Sequence, residues 1–128
     1  MAPITALYAA PIALIFLWLS TRVILARRDE KIGLGDGGNK SLMKRMRAQA
    51  NCAEYAPIGI LLIGLVEING GPALLIHMLG LSLLAGRALH AWGFSASPPV
   101  MIGRQIGMVL TALSIASAAI ALPFLAVS

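Results

Sequence analysis

Acidic residues are scarce in this chain: five Asp and Glu among 128 residues. Charged residues of both signs reach only 12%, about half the usual share of a soluble domain. That shortage excludes an ordinary water-facing surface. Aromatics are 5%, so the apolar 59% of the chain is mainly Leu, Ile and Ala, with 13 Gly beside them. The single cysteine, Cys52, excludes an intrachain disulfide and reads as a small packing residue. The two histidines, His77 and His90, stand 13 residues apart with no acidic pair beside them, which excludes a metal-binding motif. The glycine-rich stretch IGLGDGGNK is not followed by Gly-Lys-Ser/Thr, so it reads as a turn rather than a phosphate cradle. No Ser-His-Asp or Cys-His arrangement is evident, so the chain would not supply a nucleophile of its own. The N-terminus has no basic n-region and its apolar stretch is too long for an h-region, so no cleavable signal peptide is expected.

What the chain does have is apolar length. A chain this short has too little interior to hide that much apolar surface from water, whereas about 20 apolar residues cross a bilayer as a helix. Four such stretches are legible, at about 3–25, 41–68, 73–94 and 98–126. The reading is an all-α integral membrane four-helix bundle in one domain spanning 1–128. Trp18 suits a membrane interface, and Pro57 predicts a kink in the second helix. Glu67, Asn69, Gly70, Gly71 and Pro72 make a short turn without Lys or Arg.

Eight of the ten basic residues fall between Arg22 and Arg47. Clustered beside apolar spans, they orient that loop toward the cytoplasm. With no recognition motif accompanying them, they do not read as a nucleic-acid surface. Four spans then put both termini outside and the third loop inside, so Arg87 and Arg104 also lie near the cytoplasmic face.

The polar residues of the spans gather at that end. Arg47, Asn51 and Glu54 fall within about 60° of one another on a helix face. An ionisable residue inside a span is costly, and its default reading is functional with a named partner. For Glu54 the candidates are Arg47 on the same helix and Arg87 or Arg104 on others; a structural ion-pair network is an equal alternative. Arg87 and His90 are three residues apart on the third helix. Arg87 also reads as a snorkelling side chain, and His90 as a packing residue. His77 lies toward the other leaflet and reads as an interhelical hydrogen-bonding group. Arg104 sits in GRQIG, where Gly103 and Gly107 form a GxxxG pair. That spacing suits a close helix contact. The sharper reading of Arg104 is a fixed cation in a partly dry cleft, where it would favour a thiolate. Arginines receive carboxylates, and the carboxylate and carboxamide receive amino and amide groups. A small zwitterionic peptide with excess carboxylates fits the set.

The segment RAQANCAEYAP, from Arg47 to Pro57, resembles the signature of the MAPEG family, the membrane-associated proteins of eicosanoid and glutathione metabolism. The four-span layout, LLAGRALHAWG on the third helix and Arg104 on the fourth extend the resemblance over nearly the whole chain, and GDGG points to a bacterial subgroup. The resemblance implies a homotrimer in the bacterial inner membrane, with glutathione bound between protomers at the cytoplasmic side. Arg47, Asn51, Glu54 and Tyr55 match family glutathione contacts. Gln49 matches another, about 160° from Arg47 on the helical wheel, a position that serves a neighbouring protomer. His90 falls where members carry Tyr or His. Arg104 matches the arginine that stabilises the thiolate, and Arg27 or Arg28 supplies a further carboxylate contact from the neighbour. Phe94 departs from the family where Tyr is common, Met108 offers no hydroxyl, and the third loop differs in length. The implied function is a glutathione-dependent transferase or peroxidase acting on lipophilic electrophiles from the bilayer, with no metal. The alternative is a non-catalytic thiol-binding or structural protein of the same fold. A transport or channel role is disfavoured, because no polar file runs through the first and third helices. The electrophile, the physiological thiol and the pathway are not encoded in any motif.

Overall fold

The computed structural model describes residues 1–127. It consists of four helices: α1 (Pro3–Glu30), α2 (Lys40–Ile68), α3 (Ala73–Ser95) and α4 (Met101–Ala126). All four are long and apolar enough to cross a membrane, and no strand occurs among the described residues. The chain is thus an all-helical integral membrane protein. α2 and α3 touch each other and both flanking helices, whereas α1 and α4 do not touch.

Each helix end has a local cause. α1 runs five residues past the apolar stretch ending near Leu25, because hydropathy fails at Arg27 before helicity does. It stops at Lys31, whose left-handed backbone (φ 54°) sends its N–H to the carbonyls of Arg27 and Arg28. The loop then turns through Gly35 and Gly37, both at positive φ, where a side chain would be strained. Asn39 starts α2 by accepting a hydrogen bond from the Leu42 amide at 3.0 Å, a common capping arrangement. Pro57 is accommodated within α2 without ending it.

The start of α1 has no cap of its own; Ala2 offers no side-chain acceptor. Glu67, at the far end of α2, supplies one instead. Its carboxylate accepts from the Ile4 amide (2.8 Å), the Thr5 amide (2.7 Å) and the Thr5 hydroxyl (2.6 Å). A carboxylate at a helix N-terminus answers both the free amides and the helix dipole. Glu67→Ala is therefore expected to cost about 1–2 kcal/mol, the usual size of a lost cap. Thermal unfolding in detergent measures it, and an unchanged midpoint would contradict the capping role.

Tight contact between α3 and α4 sets the rest of the frame. Gly86 and Gly93 on α3 face Gly107 and Gly103 on α4. All four are buried, and their missing side chains let the two backbones approach closely. Ser114 donates to the Leu79 carbonyl (2.8 Å) and Ser82 to the Leu110 carbonyl (2.9 Å). On the α1 side, Ile12 and Leu19 pack with Cys52, Ile63 and Leu83 in the bundle core. Large apolar residues such as Leu14, Ile58, Leu81, Leu113 and Ile120 remain exposed, which lipid accommodates and water would not. At the opposite end from the glycine loop, His77 bonds Tyr8 across α1 and α3 at 2.8 Å, in keeping with the interhelical role read for it.

Candidate functional site

The central group is Arg87. A charged side chain is almost never fully buried unless it has partners, and Arg87 is 1% exposed. Every nitrogen of its guanidinium is engaged. Nε and Nη2 donate to the Thr111 hydroxyl on α4 (2.9 and 2.7 Å), and Nη1 donates to Asn51 Oδ1 on α2 (2.7 Å). Nη2 also approaches the Met108 sulfur at 3.4 Å. The Tyr55 ring lies 5.8 Å from the guanidinium carbon, within cation–π range. Arg87 therefore does not snorkel. It ties α2, α3 and α4 together.

Thr111 is the member that the sequence reading missed. It is fully buried, and its hydroxyl also donates to the Gly107 carbonyl at 2.8 Å. The available signal was a hydroxyl placed one turn after the GxxxG pair, within an otherwise apolar run. Met108 offers no hydroxyl in the first turn after Arg104; Thr111 supplies one in the next.

Glu54 departs from expectation. It pairs with none of Arg47, Arg87 and Arg104: the sole ion pair among the described residues is Arg28 with Asp29 at 3.9 Å, both exposed. The helical-wheel argument put Arg47, Asn51 and Glu54 on one face, but that face straddles the edge of the bundle. Asn51 turns inward to Arg87, while Arg47 and Glu54 are exposed on the outer side of α2. A single chain therefore leaves a carboxylate and a guanidinium unpaired on a membrane helix. Gln49 and Tyr55 are half-buried.

Arg104 and His90 form a second group between α3 and α4. The Arg104 guanidinium lies over the Phe94 ring, 3.7 Å from its centroid. Its Nε is buried without a hydrogen-bond partner. His90 is buried and packs its ring against Phe94, with centroids 5.1 Å apart. A cavity of about 340 Å³ opens beside both, walled otherwise by Met101, Gln105, Met108 and Val109. Phe94, which cannot donate a hydrogen bond, instead offers Arg104 a cation–π surface. On the other flank, α1 and α2 enclose an apolar groove of about 520 Å³ running past Phe16, Cys52, Ala53 and Pro57.

Arg27 and Arg28 stay at the end of α1, apart from this network. Arg27 reaches the Ile32 carbonyl and the Met46 sulfur, both at 3.4 Å. No group of three or more potential metal ligands occurs among the described residues.

The inner membrane protein YecN of Escherichia coli strain K12 is 38% identical over 91 residues, covering 71% of this chain and 70% of that protein. YecN of Escherichia coli O6:H1 matches to the same extent. The model of the MAPEG family matches residues 5–124, taking in the α2 signature, the buried Arg87 network and Arg104 alike, and the chain belongs to that family.

Proposed function

We propose that the chain is a glutathione-dependent transferase or peroxidase of a bacterial inner membrane, acting on lipophilic electrophiles as a homotrimer. One observation carries this reading. Arg104 is a cation with an unpartnered buried donor beside a mostly apolar cavity. A fixed cation with spare donors in a dry setting is what a thiolate needs. Met108 and Val109 keep that wall dry, while His90 supplies a polar edge.

The remaining polar groups suit the rest of the tripeptide. Arg47 is free to receive a carboxylate, and Glu54 an amino group. Asn51 is held by Arg87 through its oxygen, so its amide hydrogens stay available to a ligand. Each nitrogen of the Arg87 guanidinium already bonds within the protein, so it acts as a positioning residue for Asn51. Tyr55, its ring beside the Arg87 guanidinium, belongs with Asn51, whereas Gln49 and Arg27 or Arg28 stand further out, where a neighbouring protomer's site would use them. Trimer assembly would cover the unpaired Arg47 and Glu54, which a lipid-facing surface would not tolerate. The basic α1–α2 loop supports a cytoplasmic position for this end, with both termini outside.

In the transferase reaction, glutathione loses its thiol proton to solvent. The thiolate sulfur bonds to the electrophilic carbon, and a leaving group such as halide departs with its electron pair. In the peroxidase reaction, two glutathiones reduce an organic hydroperoxide to alcohol and water and become the disulfide. The electrophile reaches the thiolate sideways from lipid.

The test is conjugation of an aryl halide by purified protein, wild type beside Arg104→Ala. A thiol whose pKa rises by about one unit loses about tenfold of its thiolate near neutral pH, so the variant should be about tenfold slower. Equal rates would overturn the role of Arg104. A second reading is a thiol-peptide binder without turnover, favoured by Phe94 occupying the surface under Arg104 without a hydroxyl. It predicts that glutathione raises the unfolding temperature while no conjugate forms.

A further inference from the structure

A separate cavity of about 310 Å³ lies at the end of the bundle that carries the α1–α2 and α3–α4 connections. Its walls hold three cations, Arg22, Lys44 and Arg45, and three hydroxyls, Ser41, Ser95 and Ser97. No carboxylate lines it. α2 has no acidic residue in its first turn to balance Lys44 and Arg45. Like charges brought together without a counter-ion repel one another and raise the energy of the folded chain, so the cluster calls for an anion.

The cations are also held in place. Arg22 donates through Nη1 to the Ser95 hydroxyl, and its guanidinium lies 4.9 Å from the Trp18 ring centroid. Arg45 reaches back to the Arg22 carbonyl at 3.4 Å. Ser95 Oγ accepts from Arg22, so its own proton is free to be donated. Lys44, Ser41 and Ser97 make no side-chain hydrogen bond among the described residues. Three elements that are distant in sequence thus converge guanidinium, ammonium and hydroxyl donors on one space. Phe94 forms part of the wall, and Arg104 stacks on that same ring. This cavity shares no charged residue with the proposed thiol site.

We propose that this cavity is a phosphate-binding site within each protomer. Guanidinium and hydroxyl donors match the oxygens of a tetrahedral oxyanion. Trp18, half-exposed on α1, marks the level of a membrane interface. Basic pockets between spanning helices at that level suit anionic lipid headgroups. Two sources share this chemistry: the phosphodiester of an anionic lipid and free phosphate.

Thermal unfolding of the purified full chain in an uncharged detergent tests the proposal. Three additions are compared: dihexanoyl phosphatidylglycerol, inorganic phosphate, and sodium chloride at matched ionic strength. The expected result is a saturable rise in unfolding temperature with a phosphate-bearing probe and none with chloride. A response to the lipid alone assigns a headgroup; a response to both assigns the phosphate group itself. The apparent Kd should weaken at least tenfold in the Arg22→Gln/Arg45→Gln double variant and stay unchanged in Lys31→Gln, whose exposed side chain lies outside the cavity. Should the double variant fail to fold, Lys44→Gln removes a cation that bonds nothing in the protein, with at least a threefold weakening expected. No shift with either probe, an equal shift with chloride, or a response unaltered in Lys44→Gln overturns the proposal.

Discussion

Gly107→Val is expected to prevent folding, or to cost at least about 4 kcal/mol, a loss reserved for severe overpacking or strain. A Cβ added at Gly107 would stand 2.6 Å from both the Gly86 carbonyl oxygen and the His90 amide nitrogen. Both are backbone atoms of α3, so no rotamer change relieves the clash; α3 and α4 must separate. Separation lengthens the Ser114–Leu79 and Ser82–Leu110 bonds and pulls Thr111 away from Arg87. In lipid those groups find no water to replace the lost partner. The comparison is Gly33→Ala, where an added Cβ meets nothing within 4 Å, with an expected change within about 0.5 kcal/mol. Yield of folded protein and unfolding temperature in detergent measure both. A Gly107→Val protein melting within a few degrees of wild type would show that the helices are not held by this contact.

Arg87 is expected to separate stability from ligand response. Its partners Asn51, Thr111 and Met108 are all uncharged, so the buried cation has no counter-ion in the single chain. Taking such a charge out of water costs several kcal/mol, and replacing it with an apolar side chain of similar size is often neutral or stabilising. Arg87→Met fills the volume without the charge and should lie within about 1 kcal/mol of wild type, or above it. Arg87→Ala leaves a cavity and should cost about 3 kcal/mol or more. Both variants free Asn51 to rotate. If Asn51 receives glutathione as proposed, both should lose most of the rise in unfolding temperature that glutathione gives. One charge-assisted hydrogen bond is worth about 1.5–3 kcal/mol, so affinity should fall about tenfold to a hundredfold. Full retention of the glutathione response in Arg87→Met would remove Arg87 from the site. A loss of 3 kcal/mol or more in Arg87→Met would make its role one of holding the bundle.

How far the sequence reading reached varies by feature. The four spans were legible because lipid leaves no local alternative to an internally bonded helix, and hydropathy measures that directly. The Gly103–Gly107 pair was legible as a contact, yet its partners Gly86 and Gly93 lie on another helix seven residues apart, a spacing with no motif of its own. Glu67 read as a turn residue, and nothing local hinted that it caps a helix 62 residues upstream. Glu54 was given a partner because a buried charge requires one; its burial was the assumption that failed.

The sequence by itself determined the membrane class, the number of helices, the basic end of the bundle and the family. These depend on composition and short-range order, which folding does not alter. The tertiary structure alone decided which polar groups spend their bonds inside the protein. Arg87 and Arg104 carry the same charge, yet one has every guanidinium nitrogen bonded, to Asn51 and Thr111, and the other keeps a buried donor free. Hydrogen-bond saturation depends on atoms a few ångströms apart in space and tens of residues apart in the chain. For the same reason the cluster of Arg22, Lys44 and Arg45 became a cavity, rather than a signal of orientation, only once the α3–α4 connection closed over it.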